Sequence, residues 1–403
     1  MKRPKTLYIG LFLCIVFGVS WVFWPDTLAV RGPVLSSLTG QQTAPPKTDT
    51  LNATFTLPKG FSIEIYSDAV PGARMMAVAP NGDIFVSATY DGVIYKLTPD
   101  GNGDGKADTT APILKGLNDP HGIAFWQEWL YVAESHQITR YPYNADSGEL
   151  LVVPELVYGG LPSGGNHYKR TLHFSPDDTL HLTVGSSCNV CLEDDPRYAT
   201  MMTMAPDGSQ PRVIATGLRN TVDFDWHPLT KALYGTDNGR DLIGANIPQD
   251  ELNLIVEGAF YGWPHAYDNN VFDPTVGDTP AYRRLVETAT IMVHGFGAHR
   301  APLGIGFIKG ETLPEMYKNS ALVALHGSWN SPVLVGYKVV SLHFMEDGTI
   351  EERDFLTGFL QGEDDVIGRP VDSVEGDDGS LYISDDYAGV VYRVRYHINQ
   401  SSL

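Results

Sequence analysis

Six stretches of this chain repeat one pattern: a polar, often basic lead-in, a short apolar strand, a tight turn, and a second apolar strand ending in small or polar residues. They read PGARMMAVAPNGDIFVSATYDG from Pro71, DPHGIAFWQEWLYVAESHQ from Asp119 and HYKRTLHFSPDDTLHLTVGSSCN from His167. The other three are GLRNTVDFDWHPLTKALYGTDNGRD from Gly217, HRAPLGIGFIKGETLPEMYKNSALVALHGSWN from His299 and GRPVDSVEGDDGSLYISDDYAG from Gly368. Turns such as PNGD, PDD and GDDG supply the Asn, Asp and Gly that hairpin connections need, and helical periodicity is scarce. Hairpins that recur at intervals of roughly 45 to 80 residues bury their faces by packing radially against one another. The expected fold is therefore all-β, a six-bladed β-propeller over residues 56–396 preceded by an N-terminal hydrophobic helix, with residues 397–403 as a tail.

In a radial array the innermost strand of each blade faces the axis, so the lead-ins before those strands meet at one rim. Arg74, His121, His167 with Lys169 and Arg170, Arg219, His299 with Arg300, and Arg369 hold equivalent places in the six repeats. A formal net charge of -20 makes this concentration of basic groups conspicuous. Clustered cations repel one another, so a bound small anion in a low-dielectric funnel is the expected compensation. The overall acidity excludes nucleic acid as a partner, because phosphate binding demands a basic footprint.

Ahead of the repeats, MKRPK supplies a positive flank to the apolar run Leu7 to Trp24, about 18 residues and close to bilayer-spanning length. Residues 1–30 read as an uncleaved membrane anchor or a removed signal, and no small-residue cleavage site speaks for removal. Residues 31–55, rich in Pro, Ser, Thr and Gln, read as a flexible linker. Export to the periplasm, with residues 7–24 as a tether to the inner membrane, follows, and the membrane is expected to be touched by this segment only. In that compartment Cys188 and Cys191 of CNVC suit a disulfide. Covalent haem is excluded, since Leu192 stands where a histidine would have to follow.

Several blocks resemble the glucose/sorbosone dehydrogenase family of propellers that use pyrroloquinoline quinone (PQQ), most of all its sorbosone-dehydrogenase-like branch. They are GLRNTVDFDWHP (217–228), TDNGRDLIGANIPQDELN (236–253), YGWP (261–264), HGSWN (326–330) and GRPVDSVEGDDGSLYISDDYAGVVYRV (368–394). The resemblance implies an oxidoreductase that removes hydride from C1 of an aldose or sugar aldehyde, with calcium polarising the quinone and an external quinone or cytochrome collecting the electrons. It assigns Arg219, Asn220 and Arg369 to the cofactor, His326 or Trp329 to its face, the backbone carbonyls of Gly239 and Arg240 to calcium, and His167 to the base. The chain departs from the family's pattern at Ser186, where an acidic partner of the base is expected, at Arg240 in place of proline, at Ser331 in place of arginine, and in lacking a lysine near HGSWN.

A separate stretch, DGNGDGKAD, places Asp100, Asn102, Asp104, the Lys106 carbonyl and Asp108 at calcium-loop spacing, with Ala111 where a bidentate glutamate would complete it. It reads as a second calcium site or as a solvated acidic turn. Two other functions remain open on the sequence: a calcium-dependent propeller lactonase or esterase, and a non-catalytic propeller that binds a glycan or a protein.

Overall fold

The computed structural model describes residues 42–397; the expected apolar helix lies outside them. Within that span the six repeats become six blades. Their innermost strands are Ala73–Val78, Ile123–Trp126, Leu172–Phe174, Thr221–Trp226, Pro302–Phe307 and Pro370–Glu375. Each pairs antiparallel with the second strand of its own repeat and continues outward into a four- or five-stranded sheet.

The second strands Ile84–Ala88, Ala321–Leu325 and Leu381–Asp385 are buried along their whole length. Each is covered on both faces by neighbouring blades, so these strands are apolar up to the small or polar residues near their ends and lack the alternation of a half-solvated sheet. Closure is supplied from a distance. Phe61–Ser67, which precedes the first repeat, forms the outer edge of the sixth blade by pairing with Val390–Tyr396, from Phe61 opposite Tyr396 inward. Ladder hydrogen bonds therefore join the two ends of the ring.

The inner strands are sheet edges whose free N–H groups need partners. Carboxylates of the neighbouring blade provide them: Asp372 Oδ2 accepts from Met76 N at 2.8 Å, Asp223 Oδ2 from Ile305 N at 2.9 Å and Asp225 Oδ2 from Phe307 N at 2.9 Å. These acids line a cavity of about 910 Å³. On the axis Met75, Val222, Leu303 and Val371 pack into an apolar cluster. Val222 and Leu303 also line a second cavity, where the lead-ins gather.

The expected linker ends sooner than residue 55. Leu51 and Phe55 are buried in the core of blades five and six, and Thr43 N donates to Tyr387 O at 2.9 Å. Two apolar side chains in an otherwise polar stretch suffice to dock it, because burying each contributes about 1.5–3 kcal/mol. At the other end His397, expected as the first residue of the tail, bonds through its N–H to Gly60 O.

Candidate active site

The lead-ins converge as the repeat predicts, though not all of them face the axis. Arg74, His121, His167, Lys169, Arg219, His299 and Arg369 line one cavity of about 510 Å³, within the ~300–1,000 Å³ usual for small-molecule sites. Asn220, Gly239, Arg240, His326 and Trp329 line it too. Arg170 and Arg300 turn away. Arg170 is fully buried and donates to the carbonyls of His167, Lys169 and Pro162, shaping the loop that carries His167, whereas Arg300 reaches Glu352.

His167 is held in one tautomer. Its Nδ1 lies 3.0 Å from the Ser186 carbonyl, which can only accept, so Nδ1 carries the proton. The Ser186 hydroxyl, 2.8 Å from the same nitrogen, donates its own hydrogen to Cys188 O at 2.8 Å and also acts as an acceptor. Nε2 is left with its lone pair. Ser186 and its carbonyl thus do the orienting that an acidic partner would do. Burial first, then the Arg219 guanidinium, hold the His167 pKa well below the ordinary imidazole value. Gly185 permits this arrangement: a Cβ there would stand 2.7 Å from His167 Cβ and 2.9 Å from Asn220 Oδ1.

Arg219 differs from the expected ligand donor. Nε donates to Asn189 O, Nη1 to Asn238 O and Gly239 O, and Nη2 to Asn189 Oδ1 and Asp241 Oδ2, at 2.7–3.0 Å. A guanidinium has five N–H donors, and all five are engaged by protein acceptors. Arg219 therefore clamps the disulfide loop, where Cys188 and Cys191 are bonded, to the 238–241 loop, and presents only its flank and its charge to the cavity. The clamp also occupies the Gly239 carbonyl that the family resemblance assigns to calcium. Arg240 is turned onto Asp273 and Thr275 by its side chain.

Asp386 is a hub that the lead-ins alone do not reveal. Its carboxylate accepts from Arg74 Nη1 at 2.7 Å, from Arg369 Nε and Nη2 at 3.2 and 3.1 Å, and pairs with His326 Nε2 at 3.0 Å. Despite burial, Arg369, His326 and Arg74 keep its pKa well below the carboxylate range. Burial drives His326 down to about 4 against the pull of Asp386, so its imidazole is neutral and Nε2 donates. A signal for Asp386 does exist in the repeat: it follows the second strand of its blade, as Tyr90, Asn238 and His326 follow theirs, and all four line the cavity. With Arg240 spent on Asp273, the lining side chains Arg74, Lys169, Arg219 and Arg369 face three carboxylates, Asp241, Asp250 and Asp386. The cavity is thus positive inside a chain of net charge -20.

The DGNGDGKAD loop lies apart from this cavity. Asp100 accepts from the amides of Gly103, Asp104 and Gly105 and from Arg393 Nη2 at 2.7 Å, and Asp108 accepts from Gly101 N. Asn102 and Asp104 likewise turn their side-chain oxygens onto backbone amides of the loop. The Arg393 guanidinium thus supplies a positive charge to Asp100.

The profile of the TrAA12-like family matches residues 55–270 and 286–397, nearly the whole described span. The chain belongs to the TrAA12-like family. Among individual proteins, this TrAA12-like chain is 29% identical over 362 residues to an uncharacterised protein of Borreliella burgdorferi, covering 86% of this chain and 92% of the other. The calcium structure of the Trichoderma reesei family AA12 enzyme superposes with a TM-score of 0.73 at 20% identity, over 88% of this chain and 98% of that one. The holo pyranose dehydrogenase PQQ domain of Coprinopsis cinerea does so with a TM-score of 0.70 at 21% identity, over 85% and 97%. At these identities the two structures establish the shared propeller fold.

Proposed function

We propose that this TrAA12-like protein is a PQQ-dependent oxidoreductase that takes hydride from C1 of an aldose or sugar aldehyde. The observation that carries the reading is His167 Nε2, an unprotonated imidazole nitrogen held at the wall of a cation-rich cavity. The chemistry of the donor set suits a planar tricarboxylate: Arg74 and Lys169 have N–H donors beyond those used on Asp386 and Tyr90, and Arg369 places its charge at the same wall. The PQQ domain of the holo Coprinopsis cinerea pyranose dehydrogenase and the calcium structure of the Trichoderma reesei enzyme support the same pairing of PQQ with Ca2+.

In this reading Arg74, Lys169, Asn220 and Arg369 would hold the cofactor, with Trp329, 42% exposed, at the rim and His326 fixed on Asp386. Bound quinone supplies the acceptor for the hydride. His167 Nε2 would remove the proton of the C1 hydroxyl, that of an aldose hemiacetal or of a hydrated sugar aldehyde, as the C1–H bond breaks, so a C1 carbonyl forms and the proton stays on the imidazole until solvent collects it. Burial, and after it the nearby Arg219 and Lys169 charges, keep that imidazole neutral before the reaction. Calcium at the Gly239 and Arg240 carbonyls would share the Gly239 oxygen with Arg219. The electrons pass on to an external quinone or cytochrome, and the protein works in the periplasm, tethered through residues 7–24.

A metal-centred hydrolase, which would gather carboxylates on the axis, is disfavoured by the basic lead-ins Arg74, Lys169 and Arg369 that line the cavity. The test is direct: residues 42–403 are titrated with PQQ and calcium while melting temperature and tryptophan fluorescence are followed, then supplied with aldoses and a redox dye. A quinone-dependent rise in melting temperature and sugar-dependent dye reduction are expected. No response to excess quinone would remove the proposal.

A further inference from the structure

His121 is the most deeply placed polar side chain of the cavity, with no exposed surface. It comes from the DPHG lead-in of the second blade, and the tight packing of that lead-in fixes where its ring stands. His121 N donates to Ala133 O at 2.9 Å and Gly122 N to Arg170 O at 2.8 Å, which ties the backbone to its own second strand and to the third blade. A Cβ at Gly122 would sit 2.7 Å from Leu172 N and Thr171 Cα, so the two blades approach as closely as glycine allows.

The ring itself is tied at one nitrogen only. Thr171 Oγ1 donates its single hydrogen to Val222 O at 2.5 Å, so it can only accept from His121 Nδ1, 3.2 Å away. Nδ1 therefore carries the proton and Nε2 is a bare acceptor. Nε2 is buried and has no hydrogen-bond partner among the described residues. Burial and the nearby Arg74 and Lys169 charges press the imidazole toward its neutral form. Val222, to which this chain of hydrogen bonds leads, belongs to the apolar cluster on the axis. His121 thus stands at the floor of the cavity, beside that cluster.

An unpaired buried acceptor costs about 1–3 kcal/mol, and native structures rarely leave one without a purpose. At the bottom of a cavity, with cations around it, this one has a defined complement: an N–H or O–H on the inner edge of whatever molecule fills the floor. We infer that His121 is a ligand-contacting residue, whose Nε2 accepts a hydrogen bond from a ring N–H or hydroxyl of the planar anionic cofactor. The cations hold the carboxylates, and His121 reads a donor; a polyanion lacking one leaves Nε2 unpaired. This inference rests on the proposed quinone site and adds to it a requirement on the ligand's inner edge.

Two substitutions separate the nitrogens. His121→Asn keeps a donor for Thr171 and deletes the deep acceptor, while His121→Gln keeps an acceptor near the Nε2 position. With PQQ as the probe, in calcium, tryptophan fluorescence titration should give affinity about tenfold weaker for His121→Asn and within about threefold of wild type for His121→Gln. Melting temperatures without quinone report whether each variant folds. As a second readout, the 15N resonance of His121 Nε2 in the wild-type protein should move upfield on PQQ addition, as an acceptor nitrogen does when it gains a hydrogen bond, and stay in place with benzene-1,3,5-tricarboxylate, which has the charge but no donor at neutral pH. Equal PQQ affinity for wild type and His121→Asn, or an unmoved Nε2 resonance in the PQQ complex, overturns the inference and leaves the quinone site standing. A wild-type protein that takes no PQQ at all removes the quinone site and this inference with it.

Discussion

Replacing Arg219 by alanine separates a clamp from a ligand donor. The side chain is 5% exposed and spends its five N–H groups on Asn189, Asn238, Gly239 and Asp241. Removing one partner of a buried ion pair costs about 3–5 kcal/mol. Asp241 keeps the Asn330 amide at 3.0 Å and is a quarter exposed, so the lower end, about 3 kcal/mol, applies. An unfolding entropy of about 2.1 cal/mol/K per residue over roughly 350 residues gives about 0.7 kcal/mol/K, hence a fall of about 4 °C in melting temperature. Arg219→Lys should fall nearly as far, because one ammonium cannot span acceptors on two loops. Scanning calorimetry without quinone measures the effect, and PQQ titration of the same samples should show weaker binding in proportion to the loosened loops. An Arg219→Ala protein that melts within about 1 °C of wild type yet fails to take PQQ would refute the clamp and return Arg219 to the ligand.

His167→Ala should bind PQQ as wild type does and lose about 10²–10⁴ in turnover, read by dye reduction at saturating sugar; unchanged turnover would show that the proton leaves by another group. Since His167 titrates below the ordinary imidazole value of 6.5, the acidic limb of kcat should lie below that pH, and a limb above it in a pH–rate profile would contradict the neutral tautomer. Asp372 is pushed up to about 7 by burial and then by the Asp223 charge. Its folded form binds a proton that the unfolded chain has released, so its contribution to stability is present below about pH 4 and is lost as pH rises toward 7; Asp372→Asn should flatten the melting temperature over that window in metal-free buffer. Chelation of calcium should weaken PQQ binding while leaving the Arg219 clamp intact, seen as a lost quinone-induced shift with an unchanged quinone-free melting temperature.

Much of this site could be read from order along the chain. The lead-ins of six hairpins had to meet once the ring closed, and Arg74, His121, His167, Lys169, Arg219, His299 and Arg369 do line one cavity. Position in the repeat placed them well but did not say which way each side chain would turn. Arg170 and Arg300 hold the same lead-in places and face elsewhere, because carbonyls of the 162–169 loop and Glu352 lie within their reach. The importance of Asp386 is not local in sequence: it comes from Arg74, 312 residues away, and from His326, 60 residues away.

Turn residues, strand alternation and the spacing of the hairpins are short-range matters, settled by backbone geometry and by which side of a strand must avoid water. Blade number, blade order and the rim that collects basic groups follow from them, and so are written in the amino-acid order of this protein. The pairing of Phe61–Ser67 with the last strand, the tautomers of His121 and His167, and the engagement of Arg219 on two loops depend on atoms brought within about 3 Å of one another by ring closure. Hydrogen bonding is directional and fades within a fraction of an ångström, so those choices belong to the folded ring alone.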